Sequence, residues 1–213
     1  GDGGKTLEDG DVEVSEVIDF AEYYARSLAP FEALEDIELH PKGVVLVTPP
    51  WNFPLAIPGG GVLASLMAGN SVIFKPASAT PVSSLKLTKI LLEAGLPENG
   101  LQCITGSGTS VGMRLCSDKR IRKISFTGST DVGEAITKAA GVKKLSLELG
   151  SNAPVVILPD ADLDQVADAT AIGGYINAGQ VCISTQRVIA SHEVYSDLLD
   201  ALKSRVEALK TGD

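Results

Sequence analysis

Residues 43–76 read GVVLVTPPWNFPLAIPGGGVLASLMAGNSVIFKP. The run Val44-Val45-Leu46-Val47 is apolar without alternation, as expected of a strand covered on both faces. After the loop from Pro49 to Pro54, small residues continue as a helical pattern towards Ala68, where Gly69 supplies a C-terminal stop. Val72-Ile73-Phe74 then reads as a second strand, closed by Lys75-Pro76. No acidic or basic residue lies between Gly43 and Phe74, which raises the question of a membrane span. Pro49, Pro50, Pro54, Pro58, the run Gly59-Gly60-Gly61 and Asn70 argue against one, because a lipid-facing helix cannot satisfy its backbone through so many interruptions.

The same strand–helix rhythm continues on either side. Thr80-Pro81 reads as an N-cap with proline at the first helical position, and Gly95 and Pro97 end that helix. Leu101 to Ile104 is the next strand, and Gly106-Ser107-Gly108 leads into a helix holding Val111 and Leu115. Lys123 to Phe126 is a strand, Gly128 to Gly133 a turn, and Ala135 to Ala140 a helix. Single helices between strands mean βαβ units, parallel pairing and right-handed crossovers. The expected fold class is α/β, a doubly wound, mostly parallel, Rossmann-like sheet. Upstream, Val14, Val17, Ile18, Ala21, Ala25 and Leu28 recur at helical spacing with acids between them, predicting a packing helix with a solvated acidic face that ends before Pro30. Downstream of Leu145 to Leu149 the pattern restarts with a strand at Pro154 to Leu158, a helix at Leu163 to Ile176, a strand at Gln186 to Ala190 and a helix at Val194 to Leu209. A domain change is therefore expected near Gly150, dividing the chain into 1–150 and 151–213.

Composition narrows the function classes. The 213 residues are 44% apolar and carry a net charge of −9. No basic stripe is present, which argues against nucleic acid as a partner. Three cysteines, Cys103, Cys116 and Cys182, are an odd number without a CxxC, which argues against a disulfide scaffold or a zinc site and for a reducing, cytoplasmic compartment. Two histidines, His40 and His192, leave little for a His-based triad or metal site, and no metal is expected. There is no basic n-region of a signal peptide.

Ligands of such sheets bind beyond the carboxyl ends of the strands, and candidate residues fall there. Cys182 sits in Asn177-Ala178-Gly179-Gln180-Val181-Cys182, between a helical pattern and a strand. It is either a nucleophile whose thiolate is stabilised by nearby N–H groups, or a buried structural cysteine. The turn Phe126-Thr127-Gly128-Ser129-Thr130-Asp131-Val132-Gly133 either cradles a phosphate at a helix N-terminus or is a tight βα turn. Lys75 is either a phosphate- or ribose-binding donor or a solvated cap. Asn52, fixed between prolines and aromatics, either stabilises an oxyanion or forms an Asx turn. Glu148, the sole charge in Leu145 to Gly150, is expected at the end of a buried strand with a raised pKa. It is either a general base or an ion-pair partner.

Together these stretches resemble the NAD(P)-dependent aldehyde dehydrogenase superfamily, in its hydrolytic, non-phosphorylating branch. The resemblance rests on Pro-Trp-Asn-Phe-Pro at 50–54, Ala-Gly-Asn-Ser-Val at 68–72, Lys-Pro-Ala at 75–77, Phe-Thr-Gly-Ser-Thr at 126–130, Glu-Leu-Gly at 148–150 and Gly-Gln-Val-Cys at 179–182. It implies that Cys182 forms a thiohemiacetal with a small-molecule aldehyde, that Asn52 and the Cys182 N–H hold the oxyanion, and that Glu148 activates water against the resulting thioester. Lys75 and the residue at 78 would contact the adenosine ribose, Gly128, Ser129 and Gly133 the pyrophosphate, and Trp51, Val132, Leu149 and Gly150 the rest of the cofactor. Residues 1–150 would be the cofactor-binding domain and 151–213 the beginning of a catalytic domain. The full-length form would be a homo-oligomer, with no membrane partner.

The chain departs from the family pattern in three places. Ser78 stands where the family often has a ribose-gripping glutamate, which removes repulsion towards a 2′-phosphate and opens the site to NADP as well as NAD. Ser151 stands where Glu-Leu-Gly is commonly followed by glycine. The resemblance also implies a polypeptide roughly twice this length, and the family's Glu-x-Phe-Gly-Pro motif is absent from the 213 residues. The competing reading is a non-catalytic nucleotide-binding or interaction remnant. Retention of Asn52, Glu148 and Cys182 together argues against drift of that kind.

Overall fold

The computed structural model describes residues 2–210 and 212. The chain forms two compact units, Gly1–Leu149 and Gly150–Asp213. Among the described residues no helix is long and apolar enough to cross a membrane.

The first unit contains α1 (Leu7–Glu32), β1 (Val44–Thr48), α2 (Ala56–Met67), β2 (Ser71–Phe74), α3 (Pro81–Glu93) and β3 (Leu101–Cys103). A π-helical turn (Gly108–Gly112) runs into α4 (Met113–Ser117), followed by β4 (Ile121–Thr127), α5 (Thr130–Ala140) and β5 (Lys144–Glu148). The five strands form one parallel sheet in the order β3-β2-β1-β4-β5. The chain winds outward from β1 through β2 to β3, then returns to β4 on the other side of β1. The topological switch point therefore lies between β1 and β4, where such sheets place their ligands.

The central strands of the sheet are covered on both faces, as their unbroken apolar runs require. Val45 and Val47 turn to one face and pack with Val62, Val72, Phe74 and Leu101. Leu46 turns to the other and packs with Cys116, Ile121, Ile124, Phe126 and Ile136. The glycine run has a packing role. A Cβ on Gly59 would lie 2.1 Å from Val17 Cγ2, and one on Gly61 would lie 2.9 Å from Val47 Cγ1. The absence of side chains thus lets α2 lie close to α1 on one side and β1 on the other.

Three local expectations are corrected. α1 continues through Pro30 to Glu32; a proline in the final turn interrupts the ladder where few bonds remain to be lost. The inward face of α1 runs through Glu13, Val17, Phe20 and Tyr24, whereas Val14 and Ile18 are exposed. Thr80 does not cap α3 with its side chain. The Asp2 carboxylate does so instead, accepting from Val82 N at 2.8 Å, Ser83 N at 3.2 Å and Ser83 Oγ at 2.6 Å.

The second unit contains β6 (Ala153–Ile157), α6 (Leu163–Tyr175), a short 3-10 turn (Ile176–Gly179), β7 (Thr185–Ala190) and α7 (Tyr195–Glu207). β6 and β7 pair in parallel. Arg205 joins the two helices, its Nε 2.8 Å from Asp168 Oδ1 and its Nη2 2.7 Å from Asp164 Oδ1.

Candidate active site

The register of the first unit brings most of the expected residues to one edge. Val47 pairs with Phe74, Thr48 with Phe126 and Thr127 with Glu148. The carboxyl ends of β2, β1, β4 and β5 therefore align, and Lys75, Trp51-Asn52, Gly128-Ser129 and Glu148 follow one another along that edge.

Trp51 is 43% exposed, and Asn52 and Phe53 are half-buried. Thr80 Oγ1 donates to the Trp51 carbonyl at 3.3 Å, so Thr80 tethers this turn instead of capping its own helix. A cavity of about 360 Å³ is lined by Lys5, Glu13, Pro54, Leu55 and Ser83 among others, and by none of the expected site residues.

Lys75 is only 3% exposed, which removes the solvated-cap reading. Its stem passes Gly112, where a Cβ would lie 3.5 Å from Lys75 Cε, and its ammonium donates to Pro76 O at 3.0 Å. Burial pushes the Lys75 ammonium below its usual pKa, with Cys116 pulling weakly the other way. Ser78 is exposed, and its hydroxyl donates to Gly106 O at 3.0 Å.

Gly128 N donates to Glu148 O at 3.0 Å, joining the ends of β4 and β5. A Cβ on Gly128 would fall 2.5 Å from the Phe126 ring. Ser129 caps α5 by accepting from Val132 N at 3.4 Å, and Val132 is 46% exposed. The helix therefore starts with its N-terminal N–H groups at the switch point, with Asp131 as an acid in its first turn. Gly133 is buried, and a Cβ there would lie 2.6 Å from Leu149 Cδ2. Its role in this structure is to let Leu149 seat on α5.

The burial expected for Glu148 is not observed. β5 is an edge strand whose residues alternate between exposed and half-buried, and Glu148 is on the exposed side.

Gly150 and Cys182 belong to the second unit. Gly150 is exposed. Cys182 is also exposed, in the turn that leads into β7, which removes the buried structural reading. The preceding backbone is left-handed at three successive residues: Asn177 (φ 50°), Ala178 (φ 57°) and Gly179 (φ 74°). Asparagine and glycine tolerate this region; for alanine it costs about 1–2 kcal/mol. The turn is tied down by Ser184, whose N–H donates to Val181 O at 3.0 Å and whose hydroxyl donates to Gly174 O at 3.1 Å. Ser151, the departure from the family motif, donates its hydroxyl to the Cys182 carbonyl, a contact that glycine at this position could not make. Cys103 is half-buried and Cys116 buried. Burial pushes both thiols up, opposed by a Thr88 hydrogen bond in the first case and by Lys143 and Lys75 in the second.

Two residues that sequence reasoning did not single out, Lys5 and Glu13, hold the turn after β1. Glu13 Oε2 accepts from Leu55 N at 2.9 Å and Ala56 N at 3.0 Å, Lys5 Nζ lies 2.8 Å from Glu13 Oε1, and the same ammonium sits 3.5 Å from the centroid of Phe53. The available signal was helical spacing: Glu13 precedes Val17 and Phe20 by four and seven positions, which puts it on their face of α1.

A doubly wound parallel sheet with a glycine turn and a helix N-terminus at its switch point defines a Rossmann-like α/β unit. Residues 1–213 match the family model described as aldehyde dehydrogenase family. The chain belongs to the aldehyde dehydrogenase family. It is 38% identical to the 1-pyrroline-5-carboxylate dehydrogenase of Anoxybacillus flavithermus, over 99% of this chain and 44% of that protein. Among solved structures it is similar to NADP-dependent glyceraldehyde-3-phosphate dehydrogenase from Bacillus halodurans complexed with NADP, with a TM-score of 0.93 and 31% identity over 98% of this chain and 47% of the other. It is likewise similar to betaine aldehyde dehydrogenase from Staphylococcus aureus in complex with NAD+, with a TM-score of 0.92 and 31% identity over 99% and 44%. The chain thus spans less than half the length of these relatives.

Proposed function

We propose that this chain is the cofactor-binding and nucleophile-bearing part of an NAD(P)-dependent aldehyde dehydrogenase that oxidises an aldehyde to a carboxylate. The observation that carries this reading is the alignment of Trp51-Asn52, Lys75, Gly128-Ser129 and Glu148 at the carboxyl ends of four adjacent parallel strands. We assign Gly1–Leu149 as the cofactor-binding domain and Gly150–Asp213 as the beginning of the catalytic domain.

The residues present fit a dinucleotide. The capped N-terminus of α5 offers N–H donors for the pyrophosphate. Lys75, buried at the sheet edge, is already desolvated for a ribose or phosphate contact. Gly128 lets the backbone come close, Gly133 makes room for Leu149, and Trp51 and Val132 are exposed; by the family resemblance Gly150 would complete the cofactor contacts. Ser78 is neutral and exposed, so a 2′-phosphate meets no carboxylate there. Similarity to complexes with NADP and with NAD+ supports use of either.

In this mechanism the Cys182 thiolate adds to the aldehyde carbon. Asn52 and the Cys182 N–H donate to the oxygen as it becomes an oxyanion. A nicotinamide cofactor held by Lys75 and the Gly128-Ser129 turn would supply the hydride acceptor for oxidising the thiohemiacetal to a thioester on Cys182. Glu148 takes a proton from water, the hydroxide displaces the thiolate, and the carboxylate is released. An exposed Glu148 suits a group that must exchange its proton with solvent in every cycle.

The test is NAD(P)H formation by the purified protein with a panel of aldehydes. Cys182→Ala is expected to abolish it. Glu148→Gln is expected to leave the first equivalent of NAD(P)H intact and slow later turnovers about 10²- to 10⁴-fold. NAD(P)H formation that persists in Cys182→Ala contradicts the assignment.

A further inference from the structure

The helix that follows the Trp51-Asn52 turn has no cap of its own. The residue at its N-cap position is Leu55, whose side chain cannot accept a hydrogen bond. Because Pro58 has no N–H, this helix start leaves three N–H groups without intrahelical partners, those of Leu55, Ala56 and Ile57, and the first two are met by one carboxylate oxygen of Glu13, a residue more than forty positions away, at 2.9 and 3.0 Å. The other carboxylate oxygen meets the Lys5 ammonium at 2.8 Å, and the side chains of Lys5 and Glu13 are only 8% and 4% exposed. A buried carboxylate is tolerated only when its charge is paired and its lone pairs are filled, and here two amides and an ammonium do both. The ammonium in turn lies against the face of Phe53 at 3.5 Å, a geometry favourable to a desolvated cation.

Phe53, Leu55 and Ala56 are thus held by Lys5 and Glu13, and Trp51 is held by the Thr80 hydroxyl on its carbonyl. Asn52 lies between the two anchors. We propose that Glu13, paired with Lys5, is a positioning residue that sets the direction of Trp51 and Asn52 at the sheet edge. Glu13 acts through the turn and touches neither substrate nor cofactor. The functional importance of that direction rests on the reading of Trp51 and Asn52 as site residues; the clamp itself does not.

Trp51 is the sole tryptophan of the chain and reports the turn directly. The experiment is acrylamide quenching of Trp51 in the cofactor-free 213-residue chain, together with titration by NADPH, for wild type, Glu13→Gln, Lys5→Met and Lys5→Arg. Val62→Ala, a core truncation away from the turn, serves as a control for general loss of stability. Glu13→Gln places an amide N–H₂ group among donors, and Lys5→Met leaves the carboxylate without its cation. Both are expected to change the Trp51 quenching constant and to weaken NADPH binding about tenfold or more, as loss of an orienting partner does at other sites. Lys5→Arg keeps the charge and the ring contact and is expected to stay near wild type, as is Val62→Ala at temperatures where it remains folded. Trp51 quenching in Glu13→Gln equal to wild type overturns the proposal, as does an equal change in Val62→Ala. If Glu13→Gln does not fold, the same comparison is made with Lys5→Met. A wild-type chain that binds no NADPH, but whose Trp51 still responds to Glu13→Gln, upholds the clamp and contradicts the cofactor reading instead.

Discussion

The three cysteines meet different surroundings. Cys182 is exposed on a turn, Cys103 is half-buried and Cys116 is buried. Burial raises the pKa of the last two, so at neutral pH both are held as thiols with restricted access, and the thiolate is the reactive form. Under limiting iodoacetamide, Cys182 is expected to be alkylated well ahead of the other two, read by peptide mass spectrometry at short times. Labelling of Cys116 at the same rate would mean that the buried core opens as readily as the turn. The backbone around Cys182 makes the same point. A left-handed alanine between a left-handed asparagine and glycine is a strained device, held by Ser184 and, through the Cys182 carbonyl, by Ser151. Such strain is kept only where the surrounding structure over-determines it, and it clusters at functional sites.

At the scale of elements, the contact between α1 and α2 depends on Gly59. Val17 occupies the space a Cβ would need, with its Cγ2 at 2.1 Å and its Cβ at 3.3 Å. Val17 is branched at Cβ and held in a helix, so it has little freedom to turn away. Gly59→Ala is expected to destabilise the protein by about 1–3 kcal/mol, measured as a lower urea midpoint, and part of that loss should return in the double variant with Val17→Ala. An unchanged midpoint in Gly59→Ala would mean that the two helices are not packed at this distance. The cap of α3 gives a pH dependence. Burial pulls the Asp2 carboxyl up, but hydrogen bonds from Ser83 and Val82 outweigh it and hold the pKa below the usual aspartate range. A folded-state pKa lower than the unfolded value contributes stability that is present above the unfolded pKa of about 3.9 and is lost as pH falls through the folded one. Asp2→Ala should therefore cost about 1 kcal/mol near neutral pH, the usual scale of a helix cap. The gap from wild type should close as the pH is lowered below about 4. A gap that stays constant on acidification would remove the carboxylate from the cap.

These elements also show what local sequence carries. β1 and β2 were legible because continuous apolar runs bounded by turn residues have few other solutions in a globular chain. The βαβ rhythm implies parallel pairing, and with it the placement of Lys75, Trp51, Asn52 and Gly128 at the carboxyl edge, whereas the order β3-β2-β1-β4-β5 is not fixed by that rhythm. Glu148 is exposed, not buried, because Lys144-Leu145-Ser146-Leu147-Glu148 alternates strictly, which is the signature of a strand with one open face. The roles of Asp2, Lys5 and Glu13 were not legible. Asp2 and Glu13 act on helix starts forty or more positions away, Lys5 acts through Glu13, and nothing in the local pattern distinguishes such a carboxylate from the solvated acids beside it.

At the scale of the whole molecule, the chain matches the aldehyde dehydrogenase family along its entire length and covers less than half of its relatives. We propose that the sheet edge of the first unit binds a nicotinamide dinucleotide. The most direct test is calorimetric titration of the folded 213-residue chain with NADP and with NAD. Saturable one-to-one binding is expected, with NADP held at least as tightly as NAD because Ser78 offers no carboxylate to a 2′-phosphate. Lys75→Ala should weaken it about tenfold or more, the scale of one hydrogen bond to a charged group. A folded chain that shows no saturable binding of either dinucleotide, or whose binding is untouched by Lys75→Ala, contradicts the account.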